Sequence, residues 1–179
     1  MRSQQGFTLI EILMVVLLVS ILAAVSIPQF IDFRVDAKDA ATQSAIGTLR
    51  TALANQYAQI SVRCGAAAWP KAAQVNGNDV TTGAGAPCTV AQITSTSDRA
   101  FVATASLPDN PWSGSAVTAA NKHAVTACAG TGCDSPPTVN CAGNAYSATA
   151  DGGWCYNETN GKIWANSQNS TGPVKENLF

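Results

Sequence analysis

The sequence predicts an α+β protein: a long N-terminal α-helix, its first half of transmembrane length, packed on a small C-terminal antiparallel β-sheet with disulfide-tied loops. Three observations carry this expectation. Residues Ile12 to Ile31 hold no charged side chain, and about 20 such residues are what a helix needs to cross a bilayer. Ile46, Leu49, Leu53, Tyr57 and Ile60 then recur at three- and four-residue steps, which places them on one helix face. Beyond them, all six cysteines lie in a turn-rich region that ends on a hairpin signal.

The helix begins in Gly6-Phe7-Thr8-Leu9-Ile10-Glu11, behind a short polar leader, Met1 to Gln5, that contains Arg2. Glu11 is the feature that needs a cause. A carboxylate at the centre of a bilayer costs on the order of 2.5 to 3.5 kcal/mol, so it normally has a partner. Glu11 lies four residues, one helical turn, after Phe7. Cleavage between Gly6 and Phe7 would create an amine close to the Glu11 carboxylate and opposite in charge, and the carboxylate also favours the positive end of the helix dipole. An ordinary secretory signal, cut near Ala24 to Ser26, leaves Glu11 interrupting its apolar region, and the run is long for such a signal. A plain membrane anchor leaves Glu11 unexplained.

These residues resemble the class III signal of type IV prepilins and type II secretion pseudopilins. The resemblance covers about the first 30 residues and implies the type IV pilin fold. By it, a prepilin peptidase cuts after Gly6 and methylates Phe7, the mature N-terminus, and Glu11 pairs with a neighbour's N-terminus in the filament. Residues 1–6 are then the leader, 7–31 the transmembrane and filament-core helix, 32–63 its amphipathic continuation and 64–179 the globular domain. The implied precursor is a single-pass protein of a bacterial inner membrane, with a cytoplasmic N-terminus and a periplasmic domain. The single leader charge, Arg2, points the same way. The implied partners are copies of the chain and other pilin-like subunits, the peptidase, an inner-membrane platform protein and a cytoplasmic assembly ATPase.

Pro28 interrupts the apolar run and predicts a kink or a locally loosened helix, since proline removes a helical hydrogen bond. Relatives commonly carry a proline here, and their helices can melt locally on entering the filament. After Ile31, Asp32, Arg34, Asp36, Lys38 and Asp39 mark emergence from the apolar phase. The amphipathic face then continues to about Val62, giving a helix near 80 Å long at about 1.5 Å per residue. Each large aliphatic side chain buried on that face contributes roughly 1.5 to 3 kcal/mol.

From Cys64 to about Ser97 the chain is rich in Ala, Gly, Thr and Asn, with turn signals at Asn76-Gly77 and Gly83 to Pro87. A connecting loop with few apolar anchors is expected here, pinned by Cys64 and Cys88, with pairing to each other the first choice. Leu107-Pro108-Asp109-Asn110-Pro111-Trp112-Ser113-Gly114 resembles the Leu-Pro-x-Asp-Pro-Trp-Gly segment of major pseudopilins, except that Asn110 replaces the usual Asp and Ser113 precedes the glycine. Its physical content is a rigid turn that seats Trp112 on the domain. Those pseudopilins bind calcium, and Asp109, Asp134 and Asp151 are the residues here that offer hard oxygen ligands. Spaced Asp residues in loops are more often turn formers, so no cofactor is assigned and calcium stays a minor expectation.

Trp154 and Tyr156 on one side and Ile163 and Ala165 on the other flank Glu158-Thr159-Asn160-Gly161, a hairpin signal. A third strand is expected near Ala145 to Thr149. Cys64, Cys88, Cys128, Cys133, Cys141 and Cys155 make up to three disulfides in an exported domain. Cys155 pairs with Cys141 or Cys133, and the spacing does not choose among the pairings. The polar tail from Asn166 to Phe179 is expected on the surface.

The net charge of −1 and the absence of a basic stripe give no sign of nucleic-acid binding. His123 is the only histidine, and no Cys-x-x-Cys-His, phosphate-binding glycine loop or serine with a base at motif spacing occurs. A non-enzyme is expected: a pilin or pseudopilin subunit of a type IV pilus-like filament. The competing class is a secreted, disulfide-rich binding module released by ordinary signal cleavage.

Overall fold

A computed structural model of the chain describes residues 6–104, 106–128, 140–147 and 149–167, the side chains of residues 28–32 excepted. The chain divides into two compact units, Met1–Ala37 and Lys38–Phe179. Helix α1, Leu9–Gln59, supplies residues to both. Thr8 caps its start: the Thr8 carbonyl accepts the Glu11 and Ile12 amides at 3.1 and 3.4 Å, so the helix begins two residues after the expected Phe7. In the first unit, Leu9–Ile27 has a mean hydropathy of 2.8, and none of it is buried within the protein. Its serines need no outside partner, because Ser20 and Ser26 donate to the carbonyls one turn back, at 2.7 and 2.8 Å. The helical backbone runs on through Pro28.

In the second unit α1 lays the predicted face on the core. Ile46, Leu49, Leu53 and Ile60 are buried. Tyr57 is half-buried and stacks on Trp69, ring centroids 4.4 Å apart. Gln56 belongs to this face as well and was not expected there. It is buried because its Nε2 donates to the carbonyls of Asp98 and Ala100 at 2.9 and 2.7 Å. The last turn, Ile60–Cys64, widens into a π-helix.

Short elements follow: α2 (Ala72–Asn76), α3 (Thr96–Arg99), α4 (Ala119–Lys122), β1 (Val125–Ala127), β2 (Trp154–Tyr156) and β3 (Ile163–Ala165). The predicted hairpin is β2–β3, antiparallel, with Trp154 opposite Ala165 and Tyr156 opposite Ile163. Its turn closes through the Asn157 amide to the Lys162 carbonyl, 2.8 Å, and the Gly161 amide to the Asn157 carbonyl, 2.9 Å. Gly161 has φ +73°, and a Cβ there would stand 2.5 Å from the Trp69 ring, so the turn needs glycine twice over.

Two expectations are corrected. The third strand is β1, not the segment near Ala145 to Thr149, and it runs parallel to β2, so the three-stranded sheet is mixed rather than antiparallel. A three-residue strand such as Val-Thr-Ala carries too short a pattern to stand out in sequence, whereas tertiary pairing places it. The segment from Cys64 to Ser97 does have apolar anchors: Ala72, Val75, Val80, Cys88 and Ile93 are buried in the main core with Trp154 and Tyr156. They are spaced irregularly along the chain, so no periodicity announced them.

Cys64–Cys88 and Cys141–Cys155 are bonded. The first is the expected pairing, and the second selects Cys141 over Cys133 as the partner of Cys155. Cys128 is disulfide-bonded as well. The leader Met1 to Gln5, Cys133, Asp134, the Pro28 side chain and the tail beyond Ser167 lie outside the described residues.

Candidate functional site

The residues that sequence singles out for processing and assembly sit at the open end of α1. Gly6 and Phe7 precede the helix, Phe7 is 80% exposed, and Glu11 occupies the first helical turn, also exposed. Glu11 is the only ionisable residue between Leu9 and Ile27. Its amide lies 3.4 Å from the Thr8 hydroxyl and 3.1 Å from the Thr8 carbonyl, so Thr8 fixes the turn that carries the carboxylate. A carboxylate in a first turn faces the unsatisfied amides and positive end of the helix. Chemically, this end offers one anion on an otherwise uncharged rod.

The Leu107–Gly114 segment is built around Asn110, which is 1% exposed. Its Nδ2 donates to the Gly153 carbonyl and the Ser167 hydroxyl, both at 2.9 Å, and its Oδ1 accepts the Trp112 amide at 3.0 Å. Its own amide donates to the Lys122 carbonyl at 2.8 Å. Asp at this position has no side-chain N–H to give Gly153, which accounts for Asn here. Trp154 adds a second tie, its indole N–H donating to the Pro108 carbonyl at 2.9 Å. Gly153 itself has φ +70°, and a Cβ would meet the Ala124 carbonyl oxygen at 2.3 Å, where β1 joins β2.

Of the expected oxygen ligands, Asp109 and Asp151 are engaged by protein groups. Asp109 Oδ1 is 3.1 Å from His123 Nδ1. Asp151 accepts from Asn140 Nδ2 at 3.0 Å and from the Ser147 amide at 2.5 Å, closing the loop that Cys141–Cys155 also ties. Among the described residues, no group of three or more His, Cys, Asp or Glu side chains is placed to hold a metal ion. Tyr156 is fully buried, its hydroxyl donating to the Pro70 carbonyl at 3.0 Å. Burial, and then the Glu158 carboxylate, push its phenol well above the usual tyrosine range. An open groove of about 1030 Å³ runs between Gly47, Thr51 and Asn55 of α1 and Phe101, Val102 and Leu107.

A family profile described as the prokaryotic N-terminal methylation motif matches residues 1–27. Two curated fimbrial proteins of Pseudomonas aeruginosa are each 42% identical over 52 residues, which is 29% of this chain and 34% of theirs. The match thus spans about a third of the length of these relatives. No solved structure matches the chain. Motif and fimbrial similarity support a type IV pilin-like protein, and the long apolar helix on a small disulfide-tied α+β domain is a pilin-like architecture.

Proposed function

We propose that this protein is a structural subunit of a type IV pilus-like filament, stored in the inner membrane, cut after Gly6 by a prepilin peptidase and methylated on Phe7. The single observation that carries this is Glu11, one anion in the first turn of α1 on the otherwise uncharged, wholly exposed stretch Leu9–Ile27, inside a matched methylation motif. Cleavage creates the amine that a neighbouring Glu11 needs. In an apolar filament core, opposite charges attract far more strongly than in water, and a misplaced subunit leaves one of them buried and unpaired. Register is therefore set by charge and cohesion by apolar contact. The globular unit, tied by Cys64–Cys88 and Cys141–Cys155, forms the outer surface. The fimbrial relatives favour a pilus over a secretion pseudopilus. The remaining partners are other pilin-like subunits, a platform protein and an assembly ATPase, and the role is structural, not enzymatic.

Peptide mass spectrometry of the native protein's N-terminus tests the proposal. The expected mature start is Phe7 with one added methyl group. A start near Val25 to Ile27 would instead make the chain a secreted, disulfide-rich binding module.

A further inference from the structure

The globular unit begins at Lys38, and its first two residues both engage Trp112. Asp39 Oδ1 accepts the Trp112 indole N–H at 2.9 Å, and Lys38 Nζ stands 4.7 Å from the centroid of the same ring. The indole is thus held at its edge by an anion and on its face by a cation, two contacts of independent chemistry. Trp112 cannot swing freely to make them. Its amide is fixed on Asn110 Oδ1 at 3.0 Å, and Asn110 is anchored on Gly153 beside the sheet. On the helix side, the fully buried Thr42 donates its hydroxyl to the Lys38 carbonyl at 2.8 Å. Between Phe33 and Asp39 α1 has no buried residue; burial begins at Thr42.

We propose that Trp112, gripped by Lys38 and Asp39, is the clasp that sets how far toward its N-terminus α1 is held by the globular unit. With the clasp closed, the turn from Lys38 to Thr42 is fixed to the sheet through Trp112 and Asn110. With it open, the hold on the helix retreats to the buried side chains that start at Thr42, and the turn before it becomes free to fray or bend. Only one hydrogen bond and one cation–π contact are exchanged for water in the opening, so it is local and reversible. The inference stands on this geometry alone and is independent of whether the chain polymerises.

Hydrogen exchange on the full-length chain in detergent tests it. Trp112→Phe keeps a smaller aromatic ring beneath Lys38 and removes the indole N–H together with the five-membered ring that carries it, and a hydrogen bond to a charged group has the strength to shift a local opening equilibrium about tenfold. Amides of residues 38–42 are therefore expected to exchange about tenfold faster in Trp112→Phe, while those of residues 45–56 keep their rates within about twofold. Asp39→Asn retains an acceptor and is expected to change the rates less than Trp112→Phe does. Unchanged exchange at residues 38–42 in Trp112→Phe overturns the clasp. Equal acceleration across residues 38–56 overturns it as well, because Trp112 would then support the whole core rather than one turn.

Discussion

Asn110 shows how one amide organises a whole segment. Every polar group it has is used, and the two Nδ2 bonds can be made by no carboxylate. Asn110→Asp is expected to lower stability by about 2 kcal/mol at neutral pH, since it loses donors and sets an anion against the Gly153 carbonyl in a buried site. The midpoint of urea denaturation reads this directly, and a midpoint equal to that of the unchanged protein would remove Asn110 from its organising place. The sequence showed that Asn stands where Asp is usual in related segments. It did not show why, because the partners lie 43 and 57 residues away along the chain. Similarly, Asn157 opens an Asn-Glu-Thr triplet that fits the glycosylation pattern. The fold uses it as a turn: it is buried, and its Oδ1 accepts the Thr159 amide and hydroxyl at 2.9 and 2.6 Å.

Among the elements, the segment between α1 and the sheet departs most from expectation. Cys64–Cys88 closes 24 residues of chain, which chain entropy values at about 3 kcal/mol. The segment is also held by buried Val75 and Val80 and by Asn76, which donates to the Val125 carbonyl and accepts the Val125 amide, both at 2.7 Å. The Cys64→Ser, Cys88→Ser double variant is accordingly expected to lose about 3 kcal/mol yet keep its native near-ultraviolet circular dichroism. Loss of that signal, which includes Trp69 stacked on Tyr57, would mean that the disulfide alone shapes the segment. The hairpin β2–β3 was legible because Asn160-Gly161 is local turn chemistry between apolar pairs. The parallel partner β1 was not, since parallel pairing joins residues far apart and leaves no local turn signal.

At the scale of the molecule, two compact units have opposite solvent logic. Over Leu9–Ile27 the first exposes its apolar side chains all round, which water does not favour and a bilayer or a filament core does. The second buries its apolar side chains around Ile46, Leu49, Trp154 and Tyr156. Glu11 is the charge on which the first unit's proposed assembly turns. Glu11→Ala is expected to leave cleavage after Gly6 intact and to abolish filaments counted by electron microscopy. Filaments at normal abundance in that variant would defeat the charge-pair mechanism while leaving the processing test untouched.

What the sequence determined by itself is whatever short-range chemistry encodes: the uncharged run, the odd carboxylate at Glu11, the amphipathic face from Ile46 to Ile60 and the turn at Asn160-Gly161. Periodicity and turn propensity act over a few residues, so they can be read without knowing the fold. Only the tertiary structure decided that the sheet is mixed, that Cys155 bonds Cys141, that Asn110 is a buried hub and that Trp112 reaches back to Lys38 and Asp39. Each of these joins residues by hydrogen bonding, disulfide chemistry or packing across the chain. Such contacts are chosen by which groups the collapsed core brings together, not by the pattern along any one stretch.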